Sequence, residues 1–252
     1  FKIIIIENSP DKSIESELSK HNRNLKIVFS ENNGYGSAIN LARTHVATKY
    51  FFVLNPDIRK IEDKLIKVFY DSAIELKNNF GALGPRFENV SEKSHKQSNI
   101  NEKYGKIESI SGSAMFFCTE VFDKNGGFDE NFFLYFEETD YCYRSNKNNY
   151  KIYQVNSQKV YHDIGTSVET SSEEEIDKLK KLYAWHFIWS KYYFFRKHYG
   201  LLISLIYFLP ILVRSLIKFF YFSLISNKKK KEKYSIRLVV LLSSIKVLKF
   251  YK

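Results

Sequence analysis

In the first two thirds of the chain the apolar positions come in short runs; in the last third they form long helical stretches. Ile3 to Ile6 is an apolar run that meets Glu7-Asn8-Ser9-Pro10-Asp11, which reads as a strand followed by a turn. A modest helical pattern over Ile14 to Leu25 follows, with start signals near Ser13. Leu25 to Phe29 is a second short strand, and the polar stretch 31–37 is a loop. Ala38 to Ala47 is helical, with Ile39, Ala42 and Val46 on one face. Tyr50-Phe51-Phe52-Val53-Leu54 is rich in aromatic and β-branched residues and reads as a buried strand. Pro56 ends it, because proline has no N–H for a sheet ladder and pushes Asn55 into an extended conformation. Strands alternating with helices at this rhythm predict an α/β fold with a mostly parallel, helix-flanked sheet.

The pattern continues with a helix over Ile61 to Phe80 and a strand over Gly81 to Pro85. Arg86 to Gly105 is poor in apolar residues and reads as a mobile loop of the length that functional lids have. Ile107 to Phe117 resumes the strand pattern, with the small residues Gly112, Ser113 and Ala114 where a close approach is possible. Val121 and Phe122 open a short helix that Gly126-Gly127 ends. The apolar run from Phe128 to Phe136 then meets three acids, Glu137, Glu138 and Asp140. On a helix, Asp140 would reach Arg144 at i+4. Lys151 to Val155 and Lys159 to Tyr161 are short strands, and Glu173 to Trp189 is a helix.

Four places carry candidate chemistry. Asp57 falls just past the carboxyl end of a strand, where open α/β sheets bind ligands. A carboxylate there suits a hard divalent cation, although Asn55-Pro56-Asp57 also serves as a plain turn. The glycines of Asn33-Gly34-Tyr35-Gly36 let a backbone approach a ligand at a helix start. Acids beside an apolar wall are partly desolvated, which raises their pKa and suits Glu137, Glu138 and Asp140 to base work; an acid-rich helix N-terminus is the other reading. His162, after a strand, could add a nitrogen ligand to a carboxylate-held metal.

The charge is uneven. Residues 191–252 hold 14 of the 39 Lys and Arg but one of the 28 acids, leaving 25 basic and 27 acidic residues in 1–190. The body is therefore near neutral, which argues against a nucleic-acid enzyme, whose cleft would carry the basic charge. A basic tail mixed with apolar runs points to an anionic membrane surface. Tyr199 to Val213 is uncharged for 15 residues, short of the roughly 20 that span a bilayer. It reads as an interfacial helix, kinked at Pro210. Lys228 to Lys231 and Lys233 add a polybasic patch, and Ile236 to Tyr251 a second apolar-basic helix. The expected organisation is a body over 1–190 and a membrane-associating helical tail over 191–252. Two cysteines, Cys118 and Cys142, form no disulfide framework and fit a reducing compartment.

Taken in order, the motifs resemble a known family. Ile3 to Ser9, Asn33 to Asn40, Leu54-Asn55-Pro56-Asp57, Gly126 to Glu130 with Phe133 to Asp140 and Arg144, and His162 to Ser167 are similar to the inverting glycosyltransferases of family 2, of GT-A fold. The bacterial rhamnosyltransferase-type members are most alike. The resemblance implies a sugar transferase for surface polysaccharide synthesis, using a nucleotide-sugar donor, for instance of a deoxyhexose such as rhamnose, and a glycan or lipid-linked acceptor. It places the enzyme on the cytoplasmic face of the cell membrane, with no nucleic-acid partner. It implies Mg²⁺ or Mn²⁺ held by Asp57 and His162. Glu7, Asn8, Ser9, Asn33, Gly34, Gly36, Asn40, Asn55 and Asp57 would line the nucleotide-sugar site. Glu138 would be the catalytic base, with Asp140 its alternate.

Two departures from the family pattern stand out. Glu138 is one methylene longer than the family's Asp. The chain also opens on Phe, one strand and one helix into the pattern, and reads as truncated. A non-catalytic relative that binds a membrane or a partner is the alternative these departures suggest.

Overall fold

The computed structural model describes residues 1–9, 18, 20, 24–89, 96–163 and 172–246. They fall into two compact units, Phe1–Glu130 with Glu137–Glu169, and Asn131–Phe136 with Thr170–Lys252. The helix expected over Ile14 to Leu25 lies largely outside the described residues.

In the first unit, β1 (Ile3–Glu7) and β2 (Leu25–Phe29) pair in parallel as a two-stranded sheet. A six-stranded sheet holds β3 (Tyr50–Leu54), β4 (Ile58–Arg59), β5 (Phe80–Phe87), β6 (Tyr104–Ile107), β7 (Ala114–Cys118) and β8 (Lys151–His162). Its order is β3-β7-β5-β8-β4, with β6 also paired to β8. This sheet is mixed: β5–β8 is parallel, and β7 runs antiparallel to both neighbours. The β/α alternation does not reveal this, because β7 returns to the sheet after the irregular residues 108–113 rather than after a helix.

The strand of aromatic residues, expected to be buried, is half-buried at the end of the sheet order with Leu54 exposed, and it packs on both faces. Tyr50 and Phe52 join one core cluster, Phe51 and Val53 the other. β7 alternates in the same way, with Phe116 in the first cluster and Met115 and Phe117 in the second. The first face is covered by α2 (Leu65–Glu75) through Leu65, Phe69 and Ala73. The second is covered by α1 (Tyr35–Arg43) through Ile39, by α3 (Thr119–Lys124) through Phe122, and by α4 (Glu137–Lys147) through Tyr141 and Cys142. Phe117 meets Phe51, Phe122 and Tyr141 with ring centroids 4.9, 5.0 and 5.3 Å away; such pairs add about 0.5–1.5 kcal/mol each beyond area burial.

Several element bounds differ from the sequence reading. α2 is shorter than Ile61 to Phe80, since Lys77 and Asn78 adopt positive φ (53° and 57°) and end it. The two strands expected over Lys151 to Tyr161 are one. The expected mobile loop after Arg86 is partly ordered by side chains that replace a ladder. Gln97 Nε2 donates to Phe87 O at 2.8 Å, and its Oε1 accepts from Phe87 N at 3.1 Å. Asn156 Nδ2 donates to Asn99 O and Glu102 O. Residues 90–95 lie outside the described set.

The second unit is helical. α5 (Glu173–Leu224) is interrupted at Gly200 (φ 84°, ψ 176°). The chain reverses there, because Tyr192 and Phe208 meet at 5.2 Å, whereas sixteen residues along a straight helix span about 24 Å. The reversal needs a positive φ that glycine adopts freely; Pro210, where the kink was expected, sits inside the second segment. α6 (Lys228–Lys246) packs alongside, with Leu241 against Tyr192 and Phe208 and Phe222 stacked on Tyr234 at 5.7 Å. Asn131–Phe136 belongs to this unit: Phe133 stacks on His186 at 4.7 Å, and Ser190 Oγ donates to Leu134 O at 2.8 Å. The helical unit thus starts near 170 rather than at 191, because the helix opening at Glu173 runs on to Leu224.

Candidate active site

Asp57 and His162 are brought together by strand register. The Asn55–Asp57 turn closes with Ile58 N donating to Asn55 O at 3.2 Å. β4 then pairs antiparallel with the end of β8, setting Ile58 opposite His162, and Asp163 N donates to Asp57 O at 3.0 Å. The Asp57 side chain is 4% exposed, and its Oδ1 lies 3.3 Å from His162 Nε2. That contact lacks hydrogen-bond geometry, and Oδ1 has no hydrogen-bond partner among the described residues. A buried carboxylate oxygen left unpaired is costly unless something binds it. No third His, Cys, Asp or Glu among the described residues completes a cage. Mg²⁺ and Mn²⁺ do not need one, since one or two protein ligands plus substrate phosphates suffice. The donor set fits such an ion.

The acids sit on the first turn of α4, where the helix dipole favours negative charge. Glu137 is buried and its Oε2 has no hydrogen-bond partner among the described residues. Burial, then the charge of Glu138, raises its pKa well above the usual carboxylate range. Glu138 is half-buried as a residue, and desolvation of its carboxyl end raises its pKa too. Asp140 is differently placed. It is fully buried and accepts from Arg144 Nε at 2.8 Å. The same guanidinium donates to Asn125 O and Gly127 O. Asp140 therefore helps hold the Gly126-Gly127 loop through Arg144. Cys142 offers no nucleophile, since burial pushes its thiol up to about 12.

The two acidic elements converge on Tyr35. Its hydroxyl lies 2.7 Å from Asn55 Oδ1 and 2.7 Å from Gly112 O, and Glu137, Glu138 and Asp57 all act electrostatically on it. Sequence reasoning singled out the glycines around Tyr35 and passed over the ring itself. The available signal was a phenol set between two glycines in a candidate ligand loop.

Other expected site residues have partners of their own. Gly34 adopts φ 103° and precedes α1. Gly36 serves packing: a Cβ there would meet Phe128 Cβ at 3.0 Å and Glu137 Cβ at 3.4 Å. Asn40 staples α1 to the loop after α3, accepting from Phe128 N and donating to Phe128 O and Glu130 Oε1. Glu7, Asn8 and Ser9 lie at the carboxyl end of β1. There Ser9 N donates to Glu7 Oε1 at 2.7 Å and Ser30 Oγ to Asn8 Oδ1 at 3.0 Å. Asn33 is half-buried in the loop before α1.

The α/β fold is that of the GT-A glycosyltransferases, followed by a long apolar helix. No model of a known protein family matches the chain. It is 24% identical over 215 residues to the low-salt glycan biosynthesis hexosyltransferase Agl10 of Haloferax volcanii, covering 75% of this chain and 69% of that protein. Among solved structures, the mannosyltransferase PcManGT from Pyrobaculum calidifontis, in complex with GDP-Man and Mn²⁺, aligns with a TM-score of 0.57 at 10% identity, over 96% of this chain and 76% of its own. TarS 1-349 of S. aureus aligns with a TM-score of 0.53 at 14% identity, over 100% and 84%. GalNAc-T7 with UDP, GalNAc and Mn²⁺ gives 0.56 at 10% identity over 77% of this chain, which spans 41% of that protein.

Proposed function

We propose that this chain is a metal-dependent, inverting hexosyltransferase that moves a sugar from a nucleoside-diphosphate donor to a glycan or lipid-linked acceptor in surface polysaccharide synthesis. The observation that carries the reading is the buried, unpaired Asp57 oxygen beside His162, in one neighbourhood with two desolvated glutamates around Tyr35. The hexosyltransferase name of the Haloferax relative and the Mn²⁺ and nucleotide-sugars bound by the structural neighbours support the substrate class. A deoxyhexose such as rhamnose is the donor sugar that the resemblance to rhamnosyltransferase-type members implies.

In this reading Asp57 and His162 would hold Mg²⁺ or Mn²⁺, which when bound supplies Lewis-acid neutralisation of the leaving diphosphate. Glu7, Asn8, Ser9 and Asn33 border the nucleotide. Glu138 takes the proton from the acceptor hydroxyl as that oxygen attacks the anomeric carbon. The displacement is single and in line, so configuration inverts. Titration of the full chain with UDP, GDP and dTDP, each with Mn²⁺, tests the reading: one nucleotide is expected to bind, and binding is expected to vanish without the metal. Heat from none of them would refute the donor site and favour a non-catalytic relative.

The helical unit provides the membrane half of the proposal. Glu173–Leu224 is long and apolar enough to cross a membrane by length and composition, and 17% of its most apolar window is buried. Leu202, Ile206, Ile217 and Phe220 are each more than 60% exposed. The polybasic run Lys228–Lys231 opens α6 beside them in the same unit. The unit docks on the anionic inner face of the cell membrane, apolar surface inward and lysines at the headgroups. At about 1 kcal/mol per lysine, changing Lys228 to Lys231 to Gln together is expected to weaken binding to phosphatidylserine vesicles on the order of 10²–10³-fold, and salt to weaken wild-type binding. Sedimentation that is indifferent to both changes would remove the electrostatic part of the docking.

A further inference from the structure

We propose that Tyr35 is a positioning residue: its hydroxyl ties the Asn55–Asp57 turn to the Gly112 loop that lies against Glu138, and so sets the spacing between metal-holding and proton-accepting groups. The proposal rests on the glycosyltransferase reading above.

The geometry is specific. The phenol oxygen is 2.7 Å from both Asn55 Oδ1 and Gly112 O, yet a phenol has one proton and cannot donate to both. The amide oxygen and nitrogen of asparagine exchange places by a half-turn, and the hydrogen-bond network decides between them. With the amide turned, Asn55 Nδ2 donates to the Tyr35 oxygen, and Tyr35 donates to Gly112 O. The phenol then accepts one hydrogen bond and donates one.

A second bond joins the same two loops, Asn55 N to Ser113 O at 2.9 Å. The ring is packed as well as bonded. A Cβ on Gly112 would meet Tyr35 Cε1 at 3.3 Å and Glu138 Cβ at 3.6 Å, so the glycine is held between the ring and the acid. Burial, then the charges of Glu137, Glu138 and Asp57, raise the phenol pKa well above its ordinary value. The hydroxyl therefore keeps its proton and acts as a fixed tie rather than as an acid or base.

Phenylalanine at this position keeps the ring and removes the tie. In the full-length Tyr35→Phe protein, we expect kcat for Mn²⁺-dependent hydrolysis of UDP-N-acetylglucosamine or GDP-mannose, whichever the wild type accepts, to fall about 10–100-fold. The affinity for UDP or GDP with Mn²⁺ should change by less than about threefold, because uniform binding is not what positioning supplies. Gly112→Ala, which pushes on the ring from the other side, should lower kcat in the same direction. In the Tyr35→Phe background it should add little, since both changes break one arrangement. An unchanged kcat in Tyr35→Phe overturns the proposal, as does a loss shared equally by kcat, nucleotide affinity and melting temperature, which is the signature of a merely structural residue. Additive losses in the double variant overturn it too. A wild-type chain that binds none of UDP, GDP and dTDP with Mn²⁺ overturns the glycosyltransferase reading itself, and this is seen before any variant is made.

Discussion

Asp57→Asn will fold and lose metal-dependent turnover by about 10³-fold or more, the scale of several kcal/mol of charge stabilisation. The expectation follows from where the carboxylate sits. Its Oδ1 is buried, 3.3 Å from His162 Nε2, with no hydrogen bond among the described residues. A group in that state destabilises the unliganded fold, so replacing its charge with a neutral amide should leave the melting temperature unchanged or raised. Loss of activity with gain of stability is the pattern of a ligand-binding residue, and ordinary structural damage does not produce it. The same variant should lose Mn²⁺-dependent binding of UDP or GDP, because the carboxylate proposed to hold the ion is gone. His162→Ala should weaken Mn²⁺ less, since a neutral imidazole contributes no net charge. Unchanged turnover in Asp57→Asn would remove the residue from the site.

The location of Asp57 was legible in the sequence because two strong local signals coincide, an apolar strand and a proline that must end it. Its proximity to His162 was expected only through the family resemblance, since local pattern does not report an antiparallel β4–β8 register set across about a hundred residues. The mixed sheet was hidden for the same reason: strand order is a long-range property, and alternation of elements reports only the local one. The Asp140–Arg144 pair was visible as an i,i+4 spacing and is present. What spacing could not say is that the pair is buried against the Gly127 carbonyl, which separates Asp140 chemically from the glutamates beside it. Asn40 shows the reverse difficulty. A polar residue in a ligand-loop motif reads as a ligand contact, and the structure spends both ends of its amide on Phe128 and Glu130.

Glu138→Gln is expected to lower kcat by about 10²–10⁴-fold, the range that positioned general bases contribute, with nucleotide affinity unchanged. The amide is nearly isosteric and cannot accept the proton. The pH dependence identifies the base among the neighbouring acids. A base must be ionised to work, and desolvation raises the Glu138 pKa above its ordinary value, about 4.3 in water. The ascending limb of kcat/KM should therefore lie above the usual carboxylate range. Glu137→Gln leaves the proposed base in place, so kcat should fall far less. The opposite outcome, activity kept in Glu138→Gln and lost in Glu137→Gln, would transfer the role to Glu137. The same shifts fix the sign of stability against pH. Both glutamates have raised pKa values in the folded state, so between the unfolded and folded values the native state binds more protons than the unfolded one. Their contribution is fully present below the unfolded pKa and is lost as pH rises through the folded values. Wild-type melting temperature should fall across that window, and Glu137→Gln, which keeps the neutral shape at every pH, should flatten the fall. The enzyme would then be least stable where its base is ionised, which is the cost expected of holding a carboxylate in an apolar place to make it a better proton acceptor.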